Sequence, residues 1–192
     1  TAGEIAALAR RIDRPVVLVG LMGAGKSTVG LRLASLIGTD FVDSDAAIEA
    51  AAQRSVGEIF EQFGEPYFRD GERRVIARLI EAGHGVIATG GGAFAQAETR
   101  ALILDRAIAV WLDCDIDTLV ARTRRRDPRP LVERHDLGVG VVGMLVLLGP
   151  RLAEHDRVHR LEMAGVGDQA HMHRNAVKLA VGAGAEMVFD VA

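Results

Sequence analysis

A parallel α/β sheet covered by helices on both faces is the fold this sequence predicts, and three observations predict it. Short apolar runs alternate along the chain with segments of helical periodicity. The first run leads directly into a glycine-rich loop and then into a helix pattern. The glycine loop, a pair of aspartates and a glycine triplet each follow an apolar run, at the carboxyl ends where ligands of such sheets sit.

Each element has its own signal. Thr1 to Arg14 reads as an amphipathic helix with Ile5, Leu8 and Ile12 on one side. Val16 to Val19, after Pro15, is a buried strand. From Ser27 the apolar positions Val29, Leu33, Leu36 and Ile37 recur at helical spacing, and Gly38 supplies the stop. Phe41 and Val42 form a second strand leading into Asp43-Ser44-Asp45. Ser55 and Glu58 make a capping box ahead of Ile59, Phe60 and Phe63. A further helix runs from about Pro66 to Glu81, turning Phe68, Val75, Ile76, Leu79 and Ile80 inward. Val86 to Ala88 is the third strand and ends at Gly90-Gly91-Gly92. Ile108 to Leu112 is the fourth, with Trp111 as a core residue. A helix from about Ile116 follows and becomes strongly basic near Arg122. Beyond it Val158 and Leu161 mark a fifth strand, and Asp168 to Val181 a closing helix.

Composition bounds the function. A chain of 192 residues suffices for one core and is short for two, and it shows no internal repeat or low-complexity linker. A net charge of −3 does not favour nonspecific binding to nucleic acid or anionic membrane. No stretch approaches the length of an apolar membrane span, and the first residues lack the apolar core of a signal peptide. The single Cys114 allows no internal disulfide and fits a reducing compartment. A cytoplasmic, compact monomer is the default expectation. Of 23 basic residues only Lys26 and Lys178 are lysines, so a chain that otherwise uses arginine has placed a compact ammonium inside the glycine loop.

That loop, Gly20-Leu-Met-Gly-Ala-Gly25-Lys26-Ser27, fits G-x-x-x-x-G-K-S/T with a strand before it and a helix after it. Its glycines let backbone N–H groups wrap a phosphate, and the following helix adds its positive end. Gly23, Ala24, Gly25, Lys26, Ser27 and Thr28 are therefore candidate ATP-binding residues. Lys26 would reach the β- and γ-phosphates, and the Ser27 hydroxyl would ligate Mg²⁺. On an extended segment Asp43 and Asp45 point the same way. One would serve the metal shell and the other the acceptor hydroxyl, or one of them caps the next helix instead.

With these residues in place the chain resembles the shikimate kinases, over about residues 15–132. The segments are V-L-V-G-L-M-G-A-G-K-S-T-V-G at 17–30, D-S-D-A-A-I-E at 43–49 and E-I-F-E-Q-F-G-E-P-Y-F-R-D-G-E at 58–72. G-G-G-A at 90–93 and R-P-L at 129–131 complete the set. The resemblance implies a single domain with a five-stranded parallel sheet of order 2-3-1-4-5 and a mobile lid at about 122–137. It implies phosphorylation of the 3-hydroxyl of shikimate by Mg²⁺ and ATP. Under it Asp45 holds the ring hydroxyls and acts as base, while Asp43 supports the metal through water. Arg69 grips the substrate carboxylate, with Glu72 in support, and Gly91 and Gly92 let backbone approach the ring. Arg122 packs against adenine, and Arg129 closes over the γ-phosphate. Small molecules are the expected partners.

After Leu131 the family pattern lapses. Residues 137–149 form an apolar run with four glycines, a poor helix, and 133–192 reads as a divergent tail. Arg151 is the first candidate for the second carboxylate-binding arginine and Arg157 the next. Five of the six histidines lie at or after His135; a metal site is one reading, a solvated helix face the commoner one. A kinase of another polyol such as gluconate, or a sensor that binds shikimate and ATP without catalysis, are the rival functions.

Overall fold

A computed structural model describes residues 2–114, Thr118, Leu119 and Arg122, and the strands 158–163, 175–181 and 185–191. In chain order the elements are α1 (Ala2–Ala9), β1 (Val16–Val19), α2 (Lys26–Ile37), β2 (Phe41–Asp43), α3 (Ser44–Ala52) and α4 (Val56–Glu81). Then come β3 (Val86–Ala88), a short 3-10 turn (Ala93–Ala95), α5 (Ala97–Arg106), β4 (Ile108–Asp113), β5 (Val158–Met163), β6 (Asn175–Val181) and β7 (Ala185–Val191).

The strands form one sheet in the order β2-β3-β1-β4-β5-β6-β7. Its first five strands are parallel and reproduce the expected 2-3-1-4-5 order. The expected strand count is corrected: β6 and β7 extend the sheet antiparallel, making seven strands. The closing helix expected over 168–181 is corrected with it, because Asn175–Val181 is strand β6. Val177, Leu179 and Val181 alternate with Ala176, Lys178 and Ala180, and Gly182-Ala183-Gly184 precedes a second alternating run. That is the period of a strand pair, not of a helix.

The core lies in two layers, one on each face of the sheet. Val17 and Val19 of β1 pack with Ile87, Ala109 and Trp111 against α3, α4 and α5. Val16 and Leu18 point the other way, with Val86, Val110 and Leu112, onto α2. Alternating side chains of strands buried on both faces explain why the sequence shows them as unbroken apolar runs. Trp111 is a core residue, 5% exposed. On the second face α2 lies close to β2: a Cβ on Gly30 would sit 2.3 Å from the Phe41 ring and 3.2 Å from Leu18.

Local signals set the helix ends. Gly38 caps α2 in the left-handed conformation, returning its N–H to Ala34. Ser55 and Glu58 form the reciprocal capping box of α4. α4 is two helical segments joined at Gly64, whose φ of 79° and ψ of 171° break the helix just before Pro66. Proline is well placed there, in the first turn of the second segment, where N–H groups have no helical partner. The N-terminal helix is shorter than expected and ends at Ala9, while Ile12 packs against the α2 layer. At the opposite edge of the sheet from the glycine loop, His84 links two elements. Its Nδ1 pairs closely with Asp40, which also accepts the Gly85 N–H, so the start of β2 is tied to the turn before β3.

Candidate active site

The phosphate loop occupies the expected strand-to-helix junction. Gly20, Gly23 and Gly25 take φ values of 142°, 82° and 93°, which favour glycine, and Gly25 is the N-cap of α2. Lys26 is 9% exposed and donates from Nζ to the carbonyls of Gly20 at 2.7 Å and Leu21 at 2.9 Å. Burial lowers its pKa to about 8, against the opposing pull of Asp45 and Asp43. Ala24 donates its N–H to Leu21, closing the loop on itself. Thr28 stands exposed in the first turn of α2.

Ser27 and Asp43 come together: the Ser27 hydroxyl donates to Asp43 Oδ2 at 2.8 Å. Asp43 Oδ1 accepts the Asp45 N–H at 3.0 Å and caps α3. The cap and the functional placement are thus properties of one residue. The extended alternation expected for Asp43 and Asp45 is corrected, because the chain turns into α3 at Ser44. The cap, not strand pleating, holds Asp45 beside Asp43.

Asp45 Oδ1 is buried without a hydrogen-bond partner among the described residues, and so is Glu72 Oε1. Each lies 2.8 Å from the point where a Cβ on Gly90 would sit. Burial raises both pKa values. The neighbouring Asp43 carboxylate adds to the rise at Asp45, and Arg69 opposes it at Glu72. Glu72 is 0% exposed. Its other oxygen accepts from Arg69 Nη1 at 2.8 Å, while Arg69 Nε donates to Glu65 at 3.1 Å. The guanidinium lies 5.2 Å from the Phe68 ring centroid and 5.9 Å from that of Phe60, a cation–π seat that fixes its plane. Arg69 Nη2 is 2.5 Å from where a Cβ on Gly92 would be, so a side chain there would have to displace the guanidinium. Gly91 lies against the backbone of Met22 in the phosphate loop, 3.1 Å from its nitrogen by the same measure. Arg69 also lines an open cavity of about 570 Å³ between α4 and the start of α5, with Glu65, Arg73 and Glu98 among its walls.

Arg122 donates to the Gly23 carbonyl at 3.3 Å, which brings it to the phosphate loop. Arg129, Arg151 and Arg157, the lid at 122–137 apart from Arg122, and the histidines from His135 onward lie outside the residues whose side chains are described. The structure therefore brings together Lys26, Ser27, Asp43, Asp45, Arg69, Gly91, Gly92 and Arg122 at one edge of the sheet. Sequence reasoning missed Gly90 and Ser44, and the cation–π seat of Phe60 and Phe68. The burial of Glu72 had a signal: it falls on the Phe68, Val75 and Leu79 stripe of α4, where a charge needs a partner.

Comparison with known proteins narrows the reading. A sequence-family model described as Shikimate kinase matches residues 22–146. A shikimate kinase of Novosphingobium aromaticivorans is 59% identical over 137 residues, covering 69% of this chain and 71% of that protein. One from Caulobacter vibrioides is 58% identical over 123 residues, covering 64% of this chain and 62% of that protein. The structure of a shikimate kinase from Acinetobacter baumannii in complex with shikimate superposes with a TM-score of 0.71 at 33% identity, covering 88% of this chain and 89% of that one.

Proposed function

The chain belongs to the shikimate kinase family, and from that premise we propose that it transfers the γ-phosphoryl group of ATP to the 3-hydroxyl of shikimate. One observation carries the reading. The half-buried Asp45 is within electrostatic reach of both Lys26, on the phosphate side, and Arg69, on the acceptor side. A carboxylate so placed meets a hydroxyl bound by the second group and a phosphate bound by the first.

The mechanism follows from the residues. The acceptor carboxylate lies against Arg69, whose plane Glu72, Phe60 and Phe68 fix, and the ring lies on the backbone of Gly91 and Gly92. Guanidinium meets carboxylate in a bidentate fit that lysine cannot reproduce. Asp45 accepts the hydroxyl proton as the hydroxyl oxygen bonds to the γ-phosphorus in line and the bond to the β-phosphate oxygen breaks, releasing ADP. A pKa raised by burial suits that proton acceptor. Lys26 exchanges its two loop carbonyls for phosphate oxygens and spreads the developing charge. Ser27 and Asp43 present two hard oxygen donors 2.8 Å apart, a set that fits Mg²⁺. Held by these two residues, Mg²⁺ would supply charge neutralisation for the triphosphate. Arg122 accompanies the nucleotide. Arg129 as lid, and Arg151 or else Arg157 as second carboxylate ligand, complete the proposal, in a single-domain monomer of the cytoplasm whose partners are its small-molecule substrates.

A coupled ADP-release assay with Mg²⁺ and ATP tests it, with shikimate, gluconate and quinate as acceptors. Turnover dependent on shikimate is expected. ADP release with gluconate instead would make the acceptor assignment wrong and leave the kinase intact. ATP binding without turnover on any acceptor would point to a sensor.

A further inference from the structure

We propose that Ser44 is a positioning residue for the acceptor, its hydroxyl fixing the Gly90-Gly91-Gly92 turn against the two buried carboxylates beside it. The inference rests on the acceptor site assigned above. Ser44 separates Asp43 from Asp45, is 0% exposed and opens α3. Its Oγ accepts the Gly90 N–H at 3.3 Å. Gly90 is buried too, so that N–H has no water to turn to.

The bond sits where regular pairing ends. The last registered pair between β2 and β3 is Asp43 with Ala88. Beyond it Thr89 is held on the β1 side, donating both its N–H and its hydroxyl to the Leu18 carbonyl at 3.1 Å. Gly90 is held on the β2 side by Ser44. The turn is therefore pinned from both sides, at Thr89 by β1 and at Gly90 by the first residue of α3. What it carries is the width of the acceptor basin. Gly90 faces Asp45 Oδ1 and Glu72 Oε1, and Gly92 faces Arg69. A drift of the turn changes the gap between these side chains and the backbone of Gly91 and Gly92. The bonds that hold Lys26 to its loop do not involve the turn.

The test is a split between the two substrates. Ser44→Ala leaves a buried N–H unpaired and is expected to raise the KM for shikimate about tenfold, with the KM for ATP unchanged. Ser44→Thr keeps the hydroxyl and is expected to restore the KM for shikimate. An unchanged shikimate KM in Ser44→Ala, or both KM values rising together, overturns the proposal. A second readout needs no turnover: hydrogen exchange at the Gly90 amide is expected to quicken in Ser44→Ala while Ile87 and Ala88 stay protected. Equal exchange at Gly90 overturns the proposal. A parent chain without shikimate-dependent ADP release would be a failure of the functional reading instead, and the exchange comparison would still decide whether the bond holds the turn.

Discussion

The phosphate loop and the acceptor basin share one edge of the sheet and are built in opposite ways. The loop is eight consecutive residues, and its two polar side chains find partners within it or nearby. Lys26 rests on Gly20 and Leu21, and Ser27 on Asp43. The basin is drawn from α3, α4 and the turn after β3, and it holds two carboxylate oxygens with no partner among the described residues. A contiguous loop that offers backbone N–H groups recognises phosphate oxygens. A basin with unpaired buried acceptors is completed by a ligand with hydroxyl donors, and one lacking them is rejected because the mismatch stays buried. On the proposed reading, selectivity for the acceptor belongs to the basin.

Substitutions on each side can break or sharpen that contrast. The largest effect is expected from Asp45→Asn, which removes the proton acceptor and should lower kcat by about 10²–10⁴ while ATP affinity, read by calorimetry, holds. Near-parental turnover would remove Asp45 from the chemistry. Lys26→Met should lower kcat by about 10²–10³ through loss of charge stabilisation at the transferred group. Should it change only the KM for shikimate, the two regions would not be separable. Arg69→Lys keeps the charge but loses the fork and the stacking plane, and should raise the shikimate KM by about 10–100-fold with ATP binding intact. An unaltered shikimate KM would sink the carboxylate role.

The smallest effect concerns pH. Burial raises the pKa of Glu72 above its unfolded value. The folded chain therefore holds that proton where the unfolded chain has released it, and stability from this group is lost as pH rises through that window. Glu72→Gln removes the slope. The melting temperature of the variant relative to the parent should be higher at pH 7 than at pH 4.5, and a difference that is flat across that range would count against a buried, destabilised carboxylate.

Much of this was legible in the sequence, for physical reasons that also mark where reading stopped. Contiguous features carried well. Val16–Val19 announces a strand buried on both faces, Gly38 and the Ser55–Glu58 box fix helix ends, and the glycine loop marks the strand-to-helix junction. Reasoning by element type failed where one element turned into another. Asp43 and Asp45 do converge, but through a helix cap that the assumed strand geometry did not contain. The alternation of Val177, Leu179 and Val181 was present in the sequence, yet a closing helix was expected over 168–181. Contacts between distant segments were least legible. Nothing local to Ser44 points to Gly90, which is 46 residues away along the chain.

The contact of Gly30 with Phe41 has a consequence for anyone altering this chain. Glycine inside a helix is ordinarily an invitation to substitute alanine and gain stability. Here the bare backbone acts as a shim of zero thickness between α2 and β2, with a ring on one side and Leu18 close by. A single methyl group would have to displace the Phe41 ring from this seat, and Ser27 and Asp43 ride on those same elements. The usual stabilising substitution would thus disturb the packing beside the pair proposed to hold Mg²⁺, from a position that carries no chemistry of its own.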